Sequence, residues 1–273
     1  MVAVVAAESA AWTRVADALS RVEAVGPDDS GLLAFGDEPG AGGILVERGR
    51  VCWAVAPGMQ GRFKDLLATS TAARALDLDA VVERCRLDGR RLAQALLDAG
   101  FTTGELEAAL RRHSAESLFE LCRAGELAPR WTSRGAHGYS PQFTFRPLDV
   151  LLDVAELAVP ELHRAGALEL AQIAGPDRRA GAYCFDPRRG FAVPVAAVGE
   201  TSVHELWRLG AWAAGVPLAT RELGVTPALV LAATAAGEQV AVWWRAPLVY
   251  AVICGDRAGA AAIVAYHARS GGS

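Results

Sequence analysis

Between Ser9 and Val25 apolar side chains recur at Trp12, Val15, Ala16, Leu19 and Val22, the three-and-four spacing that lines one face of a helix. The run ends at Gly26-Pro27-Asp28-Asp29-Ser30-Gly31, residues that break helices or accept turn angles. Three short apolar runs follow, Leu32 to Phe35, Ile44 to Glu47 and Val51 to Val55, each with the length of a strand. Arg48-Gly49-Arg50 separates the last two, and its glycine supplies the positive backbone angle of a tight hairpin. Strict alternation predicts Val51, Trp53 and Val55 on one face of the returning strand and Cys52, Ala54 and Ala56 on the other. Both faces are then apolar and covered, with the arginines flanking the turn in water.

A short helix is predicted around Phe63, Leu66 and Leu67, then a mainly helical region from about Leu78 to Arg123. Within it Thr102 and Glu105 stand at capping-box spacing, so each side chain can satisfy a free backbone donor of the other. Leu106, Leu110, Leu118, Leu121 and Cys122 supply the buried stripe. Three helices in series invite comparison with a DNA reader, but Arg111, Arg112 and His113 sit among Glu105, Glu107, Glu116 and Glu120, the balance of a solvated helix face. Arg130 to Pro147 reads as loop, ending in the strand-like Phe143 to Phe145.

The second half has a different grammar: a helix from Val150 to about Ala174, strands Gly181 to Asp186 and Phe191 to Ala197, and a helix capped by Thr201 or Ser202. Strands Ala228 to Thr234, Gln239 to Arg245 and Leu248 to Gly255 come next, and an alanine-rich helix closes the chain. The expected fold is α+β in two domains: residues 1–153, mixed with a helical segment, and residues 154–273, built on a five-stranded antiparallel sheet.

Composition narrows the function. A chain of 273 residues, 52% hydrophobic, is long enough to bury two cores. Its net charge of -4 leaves neither half with the basic excess that phosphate neutralisation requires, which argues against nucleic acid. Cys52, Cys85, Cys122, Cys184 and Cys254 are odd in number and form no C-x-x-C pair, so they are expected to be reduced and mostly buried. The amino-terminal MVAVVAAESAAW lacks a basic region, and no apolar run reaches the length of a membrane span; the cytoplasm is the expected compartment.

The second-half order, carried by Tyr183-Cys184-Phe185-Asp186, Gly190-Phe191-Ala192-Val193 and the meander PALVLAATAAGEQVAVWWRAPLVYAVICG, resembles the Roadblock/light-chain fold. Its turn departs from that family in Pro187-Arg188-Arg189. The resemblance implies a domain without catalytic residues that dimerises through its middle helix and sheet edge and scaffolds or regulates small Ras-like GTPases. In the first half, SGLLAF, GGILVERGRVCWA and GRFKDLL resemble the PATAN domain, a bacterial signalling module for protein contacts. The matching positions are Gly31, Leu33, Ile44, Gly49, Arg50, Val51, Ala54, Leu66 and Leu67, while Trp53 and the stretch Asp37 to Gly40 depart from the pattern.

Chemistry is sparse. There is no phosphate-binding G-x-x-x-x-G-K-[ST], the one lysine is Lys64, and no dinucleotide fingerprint follows a strand, so no cofactor is expected. No two histidines or cysteines stand at metal-ligand spacing, and the strand cysteines read as small buried hydrophobes. His137, near Tyr139, is a minor candidate. The main candidates are partner contacts: Leu209 and Trp212, off the apolar stripe of the middle helix, Trp243 of the meander, and Arg188 and Arg189, whose guanidinium groups can fork carboxylates. The expectation is a homodimeric, non-catalytic signalling or scaffold protein, with a Ras-like GTPase as second partner. The alternatives are a sensor using Trp131 to Phe145 and the meander tryptophans as an apolar pocket, and an enzyme of undetected class.

Overall fold

The computed structural model describes residues 8–36, 40–59, 61–70, 72–89, 91–124, 129–136, 138–173, 178–186, 191–222, 229–234, 237–245, 247–255 and 257–270. The protein is mixed α+β, with two antiparallel sheets of four and five strands. It divides into two units: Met1–Glu23 with Pro147–Ser273, and Ala24–Arg146. The division falls near the expected boundary at Asp153, but the first helix is counted with the second half. An apolar stripe shows that a helix is buried and carries no mark of which body buries it.

In the unit Ala24–Arg146, strands β1 (Ser30–Ala34), β2 (Gly43–Glu47), β3 (Arg50–Val55) and β4 (Arg130–Ser133) form a sheet of order β3-β2-β1-β4. Helices α2 (Arg62–Ala68), α3 (Leu78–Asp88), α4 (Leu92–Asp98) and α5 (Thr103–Ala124) accompany it, and α5 packs against β3. The Thr102 and Glu105 cap forms as expected: the Glu105 carboxylate accepts from Thr102 N at 2.8 Å, and Thr102 Oγ1 accepts from Glu105 N at 3.2 Å. Strand β4 lies inside the stretch expected to be loop, because four mostly exposed residues offer no alternation to detect. Phe143 to Phe145 is not a strand but a 3₁₀ turn, Pro141–Phe143, followed by one bridge between Val51 and Phe145.

The hairpin β2–β3 corrects three expectations. Arg48 and Gly49 have φ of 55° and 69°, the paired positive angles of a two-residue type I′ turn, so the turn is Arg48-Gly49 alone. The register shifts between Leu45 and Val46: Leu45 faces Trp53 while Val46 faces Val51, leaving Cys52 as a bulged extra residue. Val51 and Trp53 therefore point to opposite faces. Nor does Arg50 flank the turn in water; its Nε donates to Thr144 Oγ1 at 2.8 Å and its Nη2 to Thr144 O at 2.7 Å.

The other unit holds α1 (Ser9–Ala24), α6 (Pro147–Ala158), α7 (Pro160–Ile173), β5 (Arg178–Asp186), β6 (Phe191–Val198), α8 (Val203–Glu222), β7 (Leu229–Ala233), β8 (Gln239–Arg245), β9 (Leu248–Cys254) and α9 (Arg257–Ser270). Its sheet runs β6-β5-β9-β8-β7, the expected five antiparallel strands. The single helix expected from Val150 to Ala174 is two, broken at Val159; Pro160 has no N–H to continue the ladder and starts the next helix instead. Helices α7 and α8 both pack on β5 and β6. Close approach sets α8: a Cβ on Gly210 would stand 2.5 Å from the Tyr183 ring, and the buried Tyr183 hydroxyl donates to Leu206 O at 3.0 Å. The face of α8 turned to the sheet is Val203, Leu206, Gly210, Ala213 and Ala214.

Candidate functional site

Opposite that packed face, α8 leaves part of its surface uncovered. Trp212 is 39% exposed and Leu209 is half-buried. Together with Arg208 and His204 they form one wall of a groove of about 330 Å³, whose other wall and floor are Ala232, Ala233 and Thr234 at the end of β7, Val240 of β8 and Ile253 of β9. Cross-strand pairing explains the floor: Ala232 faces Val240 and Val240 faces Ile253, so these side chains stand on the same side of the sheet. The result is an apolar trough beside the sheet edge with polar groups at one end.

The outer end is fixed by charge. Arg179 of β5 bridges the carboxylates of Glu205 on α8 and Glu238 before β8. Thr201 Oγ1 donates to Glu205 at 3.1 Å, and Ser202 Oγ caps Glu205 N at 3.0 Å. Arg178 donates to Ile173 O at 2.6 Å. Both arginines of this pair thus serve internal contacts.

Among the described residues, β7 pairs with a neighbouring strand on one side only. β7 ends the sheet, its sequence is Leu-Val-Leu-Ala-Ala, and Leu231 is 48% exposed. The opposite edge, β6, carries Pro194 and a register shift that leaves Val195 as an extra residue. The Val195 carbonyl, lost to the ladder, accepts from His163 Nδ1 at 2.6 Å. That bond assigns the proton to Nδ1 and gives His163 a structural task. A second groove, about 370 Å³, lies along α7 beside His163, Arg164 and Leu168, the last 62% exposed.

Among the partner candidates, Leu209 and Trp212 come together in the trough. Trp243 does not join them: it is fully buried on the other side of β8, stacked 5.2 Å from Tyr250. β-strand alternation puts it on the face of Arg245, toward α9, and away from Val240. Arg188, Arg189 and His137 lie outside the described residues. Of the residues imagined as a sensor pocket, Trp131 belongs to β4 of one unit, and Trp243 and Trp244 belong to β8 of the other.

None of the five cysteines is in a disulfide, and all are buried. Burial, with the carboxylate of Glu47 nearby, pushes the Cys52 thiol up to about 12, far from the thiolate a nucleophile needs. Among the described residues no three histidine, cysteine, aspartate or glutamate side chains could hold a metal ion, and no helix is long and apolar enough to cross a membrane.

The expectation of a solvated helix face at Arg111, Arg112 and His113 fails at His113, which is buried. His113 of α5 has no exposed surface, stacks on Trp53 at 4.3 Å, and leaves Nδ1 without a hydrogen-bond partner. Burial lowers its pKa to about 4, so it is a neutral ring in an apolar setting. Its neighbour Ser114 accepts from Ala54 N at 3.3 Å, satisfying an amide of the edge strand β3.

No protein-family model matches the chain, and no curated protein matches it.

Proposed function

We propose that this is a non-catalytic bacterial signalling or scaffold protein that works through protein contacts, beginning with self-association through α8 and β7. The observation that carries the reading is the trough of Leu209 and Trp212 lying beside an apolar strand that, among the described residues, ends the sheet. An edge strand offers unpaired N–H and C=O groups to another chain, and an aromatic anchor beside it supplies the apolar area that makes such pairing last.

From α7 onward the order helix, two strands, helix, three strands, helix, with strand order β6-β5-β9-β8-β7, supports a Roadblock-like reading of this unit. The type I′ hairpin and its following helices support a PATAN-like reading of Ala24–Arg146. Both resemblances imply contact modules of the cytoplasm, and the first implies a small Ras-like GTPase as the second partner.

Sedimentation equilibrium at micromolar concentrations tests the reading. The wild type is expected at the mass of a dimer and Trp212→Asp at that of a monomer, with the mutant also losing a Ras-like GTPase in parallel pull-downs. A wild type that stays monomeric overturns it. The volume of the trough favours one other reading, a small-molecule sensor, since about 330 Å³ is the size of small-ligand pockets. Thermal shifts with metabolites that persist in a monomeric protein would select it.

A further inference from the structure

The first turn of α8 is completed by a residue far away in sequence. A helix begins with amides that have no partner inside it. Here Ser202 O accepts the first intrahelical bond from Leu206 N at 2.9 Å, and Ser202 Oγ takes Glu205 N. In a capping box the glutamate at this place would reach back to the cap. Glu205 instead gives its carboxylate to Arg179 and Thr201. The two amides ahead of it, Val203 and His204, therefore need another acceptor.

That acceptor is Glu23, at the end of α1. Its Oε1 and Oε2 lie 2.8 and 2.9 Å from Val203 N, and the neighbouring His204 amide also favours its charged form. A carboxylate at the positive end of a helix is favoured by the helix dipole as well as by the hydrogen bonds. The helix that delivers it is held firmly: Trp12, Val15, Leu19 and Val22 are wholly buried. Glu23 is also the last residue before the chain enters Ala24–Arg146, and the chain leaves that unit at Pro147, the start of α6, which packs on α8.

We infer that Glu23 is a positioning residue for the α8 surface: by capping α8 from α1 it fixes the register of that helix over the sheet, and with it the trough. This rests on the proposed function only for the meaning of the surface; the clamp itself is read directly.

Hydrogen exchange on the full chain, with wild type, Glu23→Ala and Glu23→Gln, tests it. In Glu23→Ala the amides from Val203 through Trp212 are expected to exchange at least tenfold faster, with partial recovery in Glu23→Gln, whose carbonyl still accepts. Faster exchange confined to Val203 and His204, or a uniform rise across the unit, overturns the positioning role. Self-association is measured on the same samples, and Glu23→Ala is expected to weaken it at least fivefold while exchange at β6 stays unchanged. A monomeric wild type whose α8 exchange still spreads to Trp212 would uphold the clamp and remove the proposed function. An unchanged dimer affinity despite that spread would detach the clamp from the surface and overturn the inference.

Discussion

The two edges of the five-stranded sheet are made from similar apolar residues and end in opposite states. β6 is closed by three devices: Pro194 removes a donor, Val195 bulges out of register, and His163 takes the carbonyl that the bulge releases. β7 has none of them, and the groove beside it opens onto Trp212. An edge left unblocked by proline, charge or bulge is a liability in a protein that must stay alone. The contrast teaches that one edge carries its own blocking devices, while the other has none among its own residues.

The contrast can be broken most strongly by Leu231→Lys. In a twofold dimer the change sets two charges facing each other at the edge, and the affinity is expected to fall about a thousandfold, about 4 kcal/mol. Val198→Lys on β6 should leave the sedimenting mass unchanged.

A comparison between units comes next in size. His113 is held at about 4 by burial while a free imidazole titrates at 6.5, so as pH falls the unfolded chain takes up the proton first. Its contribution is complete above pH 6.5 and is lost between 6.5 and 4, on the order of 3 kcal/mol. His113→Phe should flatten that slope in denaturant melts of Ala24–Arg146 probes and leave dimer mass alone.

Gly210→Ala sharpens the account of how α8 sits. Its Cβ would press on Tyr183, and overpacking of this kind costs about 2 kcal/mol in chemical denaturation. The smallest effect belongs to the closed edge. His163→Ala strands the Val195 carbonyl and should cost about 1 kcal/mol of stability with no change in association.

Much of the architecture was legible because periodicity and turn chemistry agree along the chain. The meander strands and the Thr102–Glu105 cap stand where the sequence puts them, since alternation and caps are local signals. What escaped was non-local. The bulge at Cys52 and its mirror at Val195 depend on pairing register, and no residue type announces either. Arg50 reaches Thr144, and Glu23 reaches Val203, across separations that no window spans. For the surface, the helical stripe set Leu209 and Trp212 apart, and the structure leaves Trp212 exposed and Leu209 half-buried. Trp243 was misplaced because a large aromatic residue in a strand looks the same whether it faces a partner or its own core.

The central claim is that β7 is an edge waiting for a partner, and amide exchange as a function of protein concentration tests it most directly. Residues 229–233 are expected to become protected as concentration rises, while β6 keeps the same exchange throughout. Exchange at β7 that is independent of concentration, with a monomeric mass, would contradict the account.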